Sequence, residues 1–295
     1  VTLTELKQFM DTHKKEIDVR MPDYIETMKG PQTLKEAMTY SIQAGGKRVR
    51  PLLMLAAVSA FRSVEEQDYQ AACSVEMVHT YSLIHDDLPA MDDDDYRRGM
   101  LTNHKVYGEA FAVLAGDGLL SKAFEMISTL THISNDRKVR MVMELAQSSG
   151  LEGMTGGQAS DLEGENKTLE LKDLEYIHDH KTGALLTYAV TAGALLGDAP
   201  EEDIKKLKQF SRELGLVFQI KDDILDIEGD ENEMGKAPGS DEGRNKSTYP
   251  SLLTMSGAKE KLVFHAEKAK SFLPGSSSYT SLLKDFVDYV AERAH

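Results

Sequence analysis

No proline falls between Pro89 and Pro200, although the chain contains eight of them. Across that interval Leu, Ala, Met, Glu and Lys recur at helical spacing, and no run alternates apolar with polar residues as a half-buried strand does. A sheet protein needs frequent turns, and turns draw on proline and glycine. The pattern predicts an all-α fold, with helices near 2–19, 32–43, 47–61, 65–88, 104–115, 117–131, 136–158, 171–196, 200–227, 250–270 and 279–292. Pro51, and Pro200 after Gly197-Asp198-Ala199, suit helix N-termini. Gly45-Gly46 and Pro274-Gly275-Ser276 separate neighbouring helices. The longest clear loop runs from Glu228 to Thr248 and is dense in Gly, Asp, Asn and Pro; loops of that length usually carry function. No linker divides the chain, so residues 1–295 are expected to form a single domain.

Several function classes are excluded early. Lys and Arg number 34 against 49 Asp and Glu, a formal charge of −15, which argues against a nucleic-acid partner. A single cysteine, Cys73, allows no internal disulfide and no multi-cysteine metal site. The longest uncharged stretch, Thr182 to Gly197, is 16 residues, short of the ~20 apolar residues a membrane span needs. Val1 to Arg20 is charged and lacks an apolar signal segment. A cytoplasmic protein without stable membrane insertion is expected.

Two acidic clusters sit among apolar residues. The first reads Leu83-Ile84-His85-Asp86-Asp87-Leu88-Pro89-Ala90-Met91-Asp92-Asp93-Asp94-Asp95, the second Phe218-Gln219-Ile220-Lys221-Asp222-Asp223-Ile224-Leu225-Asp226. Asp222 and Asp226 are i and i+4 and share a helix face. Pro89 disfavours helix at Leu88, so the chain is expected to leave the helix there and let Asp92 turn back toward Asp86. An isolated acidic run usually reads as solvated surface. Here the flanking Leu, Ile and Phe would bury while like charges, ~4 Å apart at an effective dielectric of ~20, repel by ~4 kcal/mol. Divalent cations relieve that conflict, and oxygen-only ligands suit Mg²⁺. An EF-hand loop fails, because Asp226-x-Glu228-x-Asp230 is followed by Glu231 where glycine is required.

Basic residues occur at punctuated places: Gly45-Gly46-Lys47-Arg48-Val49-Arg50, Arg97-Arg98, Lys181-Thr182 and Gly235-Lys236. A nucleotide P-loop is absent, since Gly46-Lys47 is followed by Arg48 and Ser41 stands where the first glycine belongs. Basic groups alternating with acids of this kind point to small phosphorylated substrates.

The ordered set of motifs resembles the trans-isoprenyl diphosphate synthases from Gly45-Gly46-Lys47-Arg48-Val49-Arg50-Pro51 to Lys246-Ser247-Thr248-Tyr249-Pro250. It takes in both aspartate-rich motifs, His79, Arg97-Arg98-Gly99, Gly157-Gln158 with Asp161, Lys181-Thr182-Gly183, Phe218-Gln219 and Gly235-Lys236. The resemblance implies an antiparallel helical bundle of the isoprenoid synthase type around a deep central cavity, usually a homodimer. It implies Mg²⁺-dependent condensation of isopentenyl diphosphate with dimethylallyl and geranyl diphosphate. Asp86, Asp92 and Asp222 would hold three Mg²⁺, with Asp87, Asp223 and Asp226 binding metal waters or completing the shell. Arg97, Lys181 and Lys236 would contact the allylic diphosphate, and Lys47, Arg50, His79 and Arg98 the diphosphate of isopentenyl diphosphate. The carbonyl of Lys181, the hydroxyl of Thr182 and the amide of Gln219 would steady a carbocation without capturing it. An aromatic Tyr81 five positions before the first aspartate, beside Ser82, implies a C15 product, farnesyl diphosphate; a geranylgeranyl or longer-chain synthase is the alternative. A terpene cyclase has no use for the set Lys47, Arg50, His79 and Arg98, and a non-catalytic subunit typically loses acid motifs that are intact here.

Overall fold

The computed structural model describes residues 3–165, 167, 169–228, 247–273 and 280–293. Gly235-Lys236 and Lys246 lie outside the described residues, as does most of the loop expected between Glu228 and Thr248. The described chain runs through α1 (Leu3–Glu26), α2 (Gln32–Gln43), α3 (Val49–Ser59) and α4 (Glu66–Asp86) to a two-stranded hairpin, β1 (Tyr96–Arg97) and β2 (Met100–Leu101). There follow α5 (Asn103–Tyr107), α6 (Glu109–Ser128), α7 (Asn135–Ser149), α8 (Met154–Gly164) and α9 (Leu171–His178). A π-helical turn, Asp179–Gly183, leads to α10 (Ala184–Leu196), then α11 (Glu201–Glu228), α12 (Tyr249–Ser271) and α13 (Thr280–Glu292).

The all-α expectation holds, and its departures have local causes. Helix α1 continues past residue 19 through Pro22 to Glu26, at the cost of one backbone hydrogen bond. The break expected near Gly116 comes instead at Gly108, whose φ of 84° no β-carbon-bearing residue adopts easily. The segment 136–158 divides at 150–153, and the expected 171–196 helix is interrupted by the π turn.

Packing sorts the chain into two compact units, one of Lys7–Leu55 and Val64–Val142, the other of Val1–Leu6, Ala56–Ser63 and Met143–His295. In the first, α4 is buried on nearly every side through Ala71, Ala72, Cys73, Val75, Met77 and Val78. It packs along the Ala112, Ala115, Leu119 and Ala123 stripe of α6. A capping box at Glu65 and Asp68 fixes its start. Its last turn is tied to α6 by His85, whose Nε2 lies 3.0 Å from the Val113 carbonyl. Asp86 therefore stands at the exit of a fixed helix.

In the second unit α10 is buried from Leu185 to Leu196, which accounts for the uncharged stretch in the sequence. Around it α11 packs against α10 and α12. The start of α12 is capped reciprocally by Thr248 and Ser251. Among the described residues no helix is long and apolar enough to cross a membrane.

Candidate active site

The first acid motif is built by the turn after α4. The Asp92 N–H donates to the Asp86 carbonyl at 2.9 Å, and Met91 and Asp93 N–H both donate to the Leu88 carbonyl. The stretch from Leu88 to Met91 thus returns Asp92 to the helix end, as the proline argument expects. Asp87 faces inward, 3% exposed. Burial, together with Asp94 and Asp92, raises its pKa, opposed by Arg97. The Arg97 guanidinium grips Asp87 bidentately, Nε at 2.9 Å and Nη2 at 2.6 Å. In this state Arg97 is committed to a carboxylate of the motif.

Arg98 and Gly99 occupy the centre of the hairpin with φ of 55° and 77°, the two positive values a tight primed turn requires. That turn sends Arg98 to the Gly45-Gly46 corner, where its guanidinium donates to the Gly45 carbonyl. Gly46 has φ of 133°, a conformation that strains any side chain, and a β-carbon there would also push the Arg98 guanidinium aside from 2.6–2.8 Å. The four residues after Gly46 divide by direction. Lys47 is exposed and Arg50 half-buried. Arg48, which no motif argument singled out, is 3% exposed and bonded to Asp18 at 2.8 Å, Glu76 at 3.0 Å and the Ile42 carbonyl at 2.7 Å. Burial and the neighbouring Arg50, Arg98, Arg97 and Arg48 hold the His79 imidazole well below the usual histidine range, so it is neutral at pH 7. His79 thus lies within electrostatic reach of four arginines, Arg50, Arg98, Arg97 and Arg48. Tyr81 is half-buried, its ring edge-on to His85 at 5.5 Å, while the Ser82 hydroxyl donates to the His79 carbonyl at 2.8 Å.

In the second unit a pocket of about 180 Å³ is lined by Asp161, His178, Lys181, Thr182, Gln219 and Asp223 among others. Lys181 Nζ donates to Asp161 Oδ2 at 2.7 Å. Lys181 and Thr182 belong to the π turn, and such single turns recur at functional sites because they break the regular carbonyl pairing of a helix. The turn is seated against α8 at Gly157. A β-carbon there would lie 2.6 Å from Lys181 Cα and 2.7 Å from the His180 carbonyl carbon. Backbone cannot yield as a flexible side chain does, so Gly157→Ala should displace Lys181 and Thr182. A displacement of about 1 Å is worth roughly 100-fold in turnover. Steady-state kinetics beside a thermal melt check this, with activity expected to fall by about that factor in protein that still folds.

The second acid motif lies on α11. Asp223 is 3% exposed and accepts from the Tyr249 N–H at 2.9 Å, tying α11 to the start of α12. His178, which sequence reasoning passed over, stacks on Tyr249 with ring centroids 5.8 Å apart and brings Nε2 to 3.8 Å from Asp223 Oδ2. Asp226 is buried as well. Asp222 remains accessible, and its Oδ1 accepts from Nη2 of Arg293 at 2.5 Å.

Among the described residues no three His, Cys, Asp or Glu side chains converge into a preformed cage. The donor chemistry nonetheless fits Mg²⁺, which takes hard oxygen ligands, keeps several waters and is held by one or two carboxylates plus substrate phosphate rather than by an all-protein shell. Asp86, Asp92 and Asp222 carry oxygens of that kind. Asp87 and Asp222 have arginine partners, so the acids are partly neutralised by the chain's own cations.

Comparison with known proteins follows the same lines. The polyprenyl synthetase family model matches residues 31–272. The chain is 51% identical to the farnesyl diphosphate synthase of Geobacillus stearothermophilus over 98% of each chain, and 51% identical to that of Bacillus subtilis over 99% of each. It is 48% identical to a chloroplastic geranylgeranyl pyrophosphate synthase of Capsicum annuum over 90% of this chain and 73% of that protein. Among solved structures, an apo FPP/GFPP synthase from Zymomonas mobilis superposes with a TM-score of 0.87 at 34% identity, over 98% of this chain and all of that one.

Proposed function

The chain belongs to the polyprenyl synthetase family, and on that footing we propose that it joins isopentenyl diphosphate head-to-tail to dimethylallyl and then geranyl diphosphate, releasing farnesyl diphosphate. What supports the reading is two separate groups of polar and basic side chains, each suited to an anion. One is the Gly46 corner with Lys47, Arg50, His79 and Arg98; the other is the pocket with Lys181, Thr182 and Gln219. A reaction that only ionises one allylic diphosphate needs one station. A condensation needs both.

Lys181 and Arg97, with Lys236 from outside the described residues, bind the allylic diphosphate. Arg97 serves by releasing part of its grip on Asp87. Lys47, Arg50, neutral His79 and Arg98 hold isopentenyl diphosphate with its double bond near the reacting carbon, replacing a bimolecular encounter by a positioned one. Asp86, Asp92 and Asp222 would hold Mg²⁺, three ions per site, with Asp87, Asp223 and Asp226 supporting the shell; the metal would supply Lewis-acid neutralisation of the departing diphosphate. The allylic C–O bond breaks and its electron pair leaves with diphosphate. The double bond of isopentenyl diphosphate then forms the new C–C bond, and a proton departs to the released diphosphate. The Lys181 carbonyl, Thr182 hydroxyl and Gln219 amide present partial negative charge to the carbocation but no carboxylate to trap it. Tyr81 limits tail growth at C15; without that limit the same chemistry gives geranylgeranyl diphosphate. The protein acts as a cytoplasmic homodimer.

The assignment of stations is tested by Lys47→Ala and Arg98→Ala. Each should raise KM for isopentenyl diphosphate about tenfold or more, in keeping with a lost charge-assisted contact, and leave KM for geranyl diphosphate nearly unchanged. An equal effect on the allylic substrate would mean the two stations are exchanged.

A further inference from the structure

Arg293, immediately after α13, is among the least solvated arginines of the second unit, its side chain only 7% exposed. Nη2 donates to Asp222 Oδ1 at 2.5 Å and lies 3.2 Å from the Phe218 carbonyl, while the guanidinium sits 4.1 Å from the Phe218 ring centroid. Its own N–H donates to the Tyr289 carbonyl at 3.1 Å, continuing α13 by one residue. The end of α13 is thus fastened to the α11 segment that carries Phe218, Gln219 and Asp222.

Two features distinguish this arginine from a purely structural one. Arg48 has Nε, Nη1 and Nη2 each on an acceptor. Arg293 keeps a buried Nε without any hydrogen-bond partner, an incomplete set that costs free energy in a fully committed residue. Its partner carboxylate is 43% exposed, so a solvated cation can approach Asp222 while Arg293 is still in place.

We infer that Arg293 is a positioning residue of the reaction: it holds Asp222 as a resident counter-cation and gives that oxygen up when a divalent metal arrives. The inference rests on the reading of Asp222 as a metal ligand. Guanidinium and metal compete for one carboxylate oxygen, so each weakens the other's hold by the same factor. In the unloaded protein the pair suppresses repulsion along Asp222, Asp223 and Asp226 and fixes the Asp222 rotamer. When the oxygen passes to metal, Arg293 loses its strongest bond and the end of α13 loosens from Phe218.

The test is binding of Mn²⁺ alone, read from the electron paramagnetic resonance signal of the free ion, in four full-length proteins. R293Q should bind Mn²⁺ about tenfold more tightly than wild type, within the usual range for coupled ligands. R293K, which keeps a cation but not the planar fork, should fall between them. Tightening is diagnostic, because an arginine that merely supported the fold or oriented Asp222 for the metal would, on removal, weaken binding or leave it alone. Unchanged or weaker binding in R293Q overturns the inference. The double variant R293Q/D222N should lose the gain. If it binds as tightly as R293Q, the metal is not on Asp222, and the ligand assignment itself fails.

Discussion

Asp86→Ala and Asp222→Ala should each lower kcat/KM by about 10³–10⁴-fold, the equivalent of the several kcal/mol that Lewis-acid neutralisation of a leaving diphosphate supplies. Helical circular dichroism should be unchanged in both, because neither side chain lies in the core. The two differ in stability. Asp86 ends α4 at a turn held by backbone bonds, and its truncation should shift Tm little. Asp222→Ala leaves the Arg293 guanidinium without its half-exposed carboxylate, and losing a hydrogen bond between charged groups costs about 1.5–3 kcal/mol. Its Tm should fall by several degrees, and Asp222→Asn should recover part of that loss without recovering activity. Initial rates over a Mg²⁺ series, beside thermal melts of the same preparations, check both halves. Full activity of wild type in excess chelator would remove the metal from the mechanism.

Tyr81→Ala should change the product rather than the rate. Tyr81 lies five residues before Asp86 on α4, about 7.5 Å along the helix axis. Its ring is held edge-on to His85, and His85 is in turn fixed to the Val113 carbonyl. If the tail grows toward it, a ring so braced would stop it, and alanine should leave room for another five-carbon unit. The half-buried ring gives up about 0.5–1.5 kcal/mol of aromatic contact beyond its buried area, so the variant should stay folded and active. Products sized by chromatography should move from C15 to C20 and longer. A variant that remains active and still stops at C15 would assign the limit to another residue.

Much of this architecture is legible in residue spacing. The uncharged stretch after Lys181 becomes the enclosed α10, and Pro89 ends α4 and returns Asp92 to Asp86. What spacing does not carry is partnership across the fold. Nothing local says that Arg97 grips Asp87 or that Arg48, between two cations of the same motif, points inward to Asp18 and Glu76. His178 and Arg293 were passed over for the same reason, since each acquires meaning only from a partner 45 or more residues away, Asp223 and Asp222. The hairpin at Arg97-Arg98-Gly99 is two residues a side, too short for an alternation pattern to register. Gly157 is visible as a motif residue, but its reason, the backbone of Lys181 against it, is tertiary.

The proposed activity is a carbon–carbon bond made between two diphosphates, stopping at C15. Purified protein with Mg²⁺, labelled isopentenyl diphosphate and unlabelled geranyl diphosphate tests it directly. Label should appear in farnesyl diphosphate as the main product, and none should be incorporated in excess chelator. Consumption of geranyl diphosphate with no label in any prenyl product would contradict it.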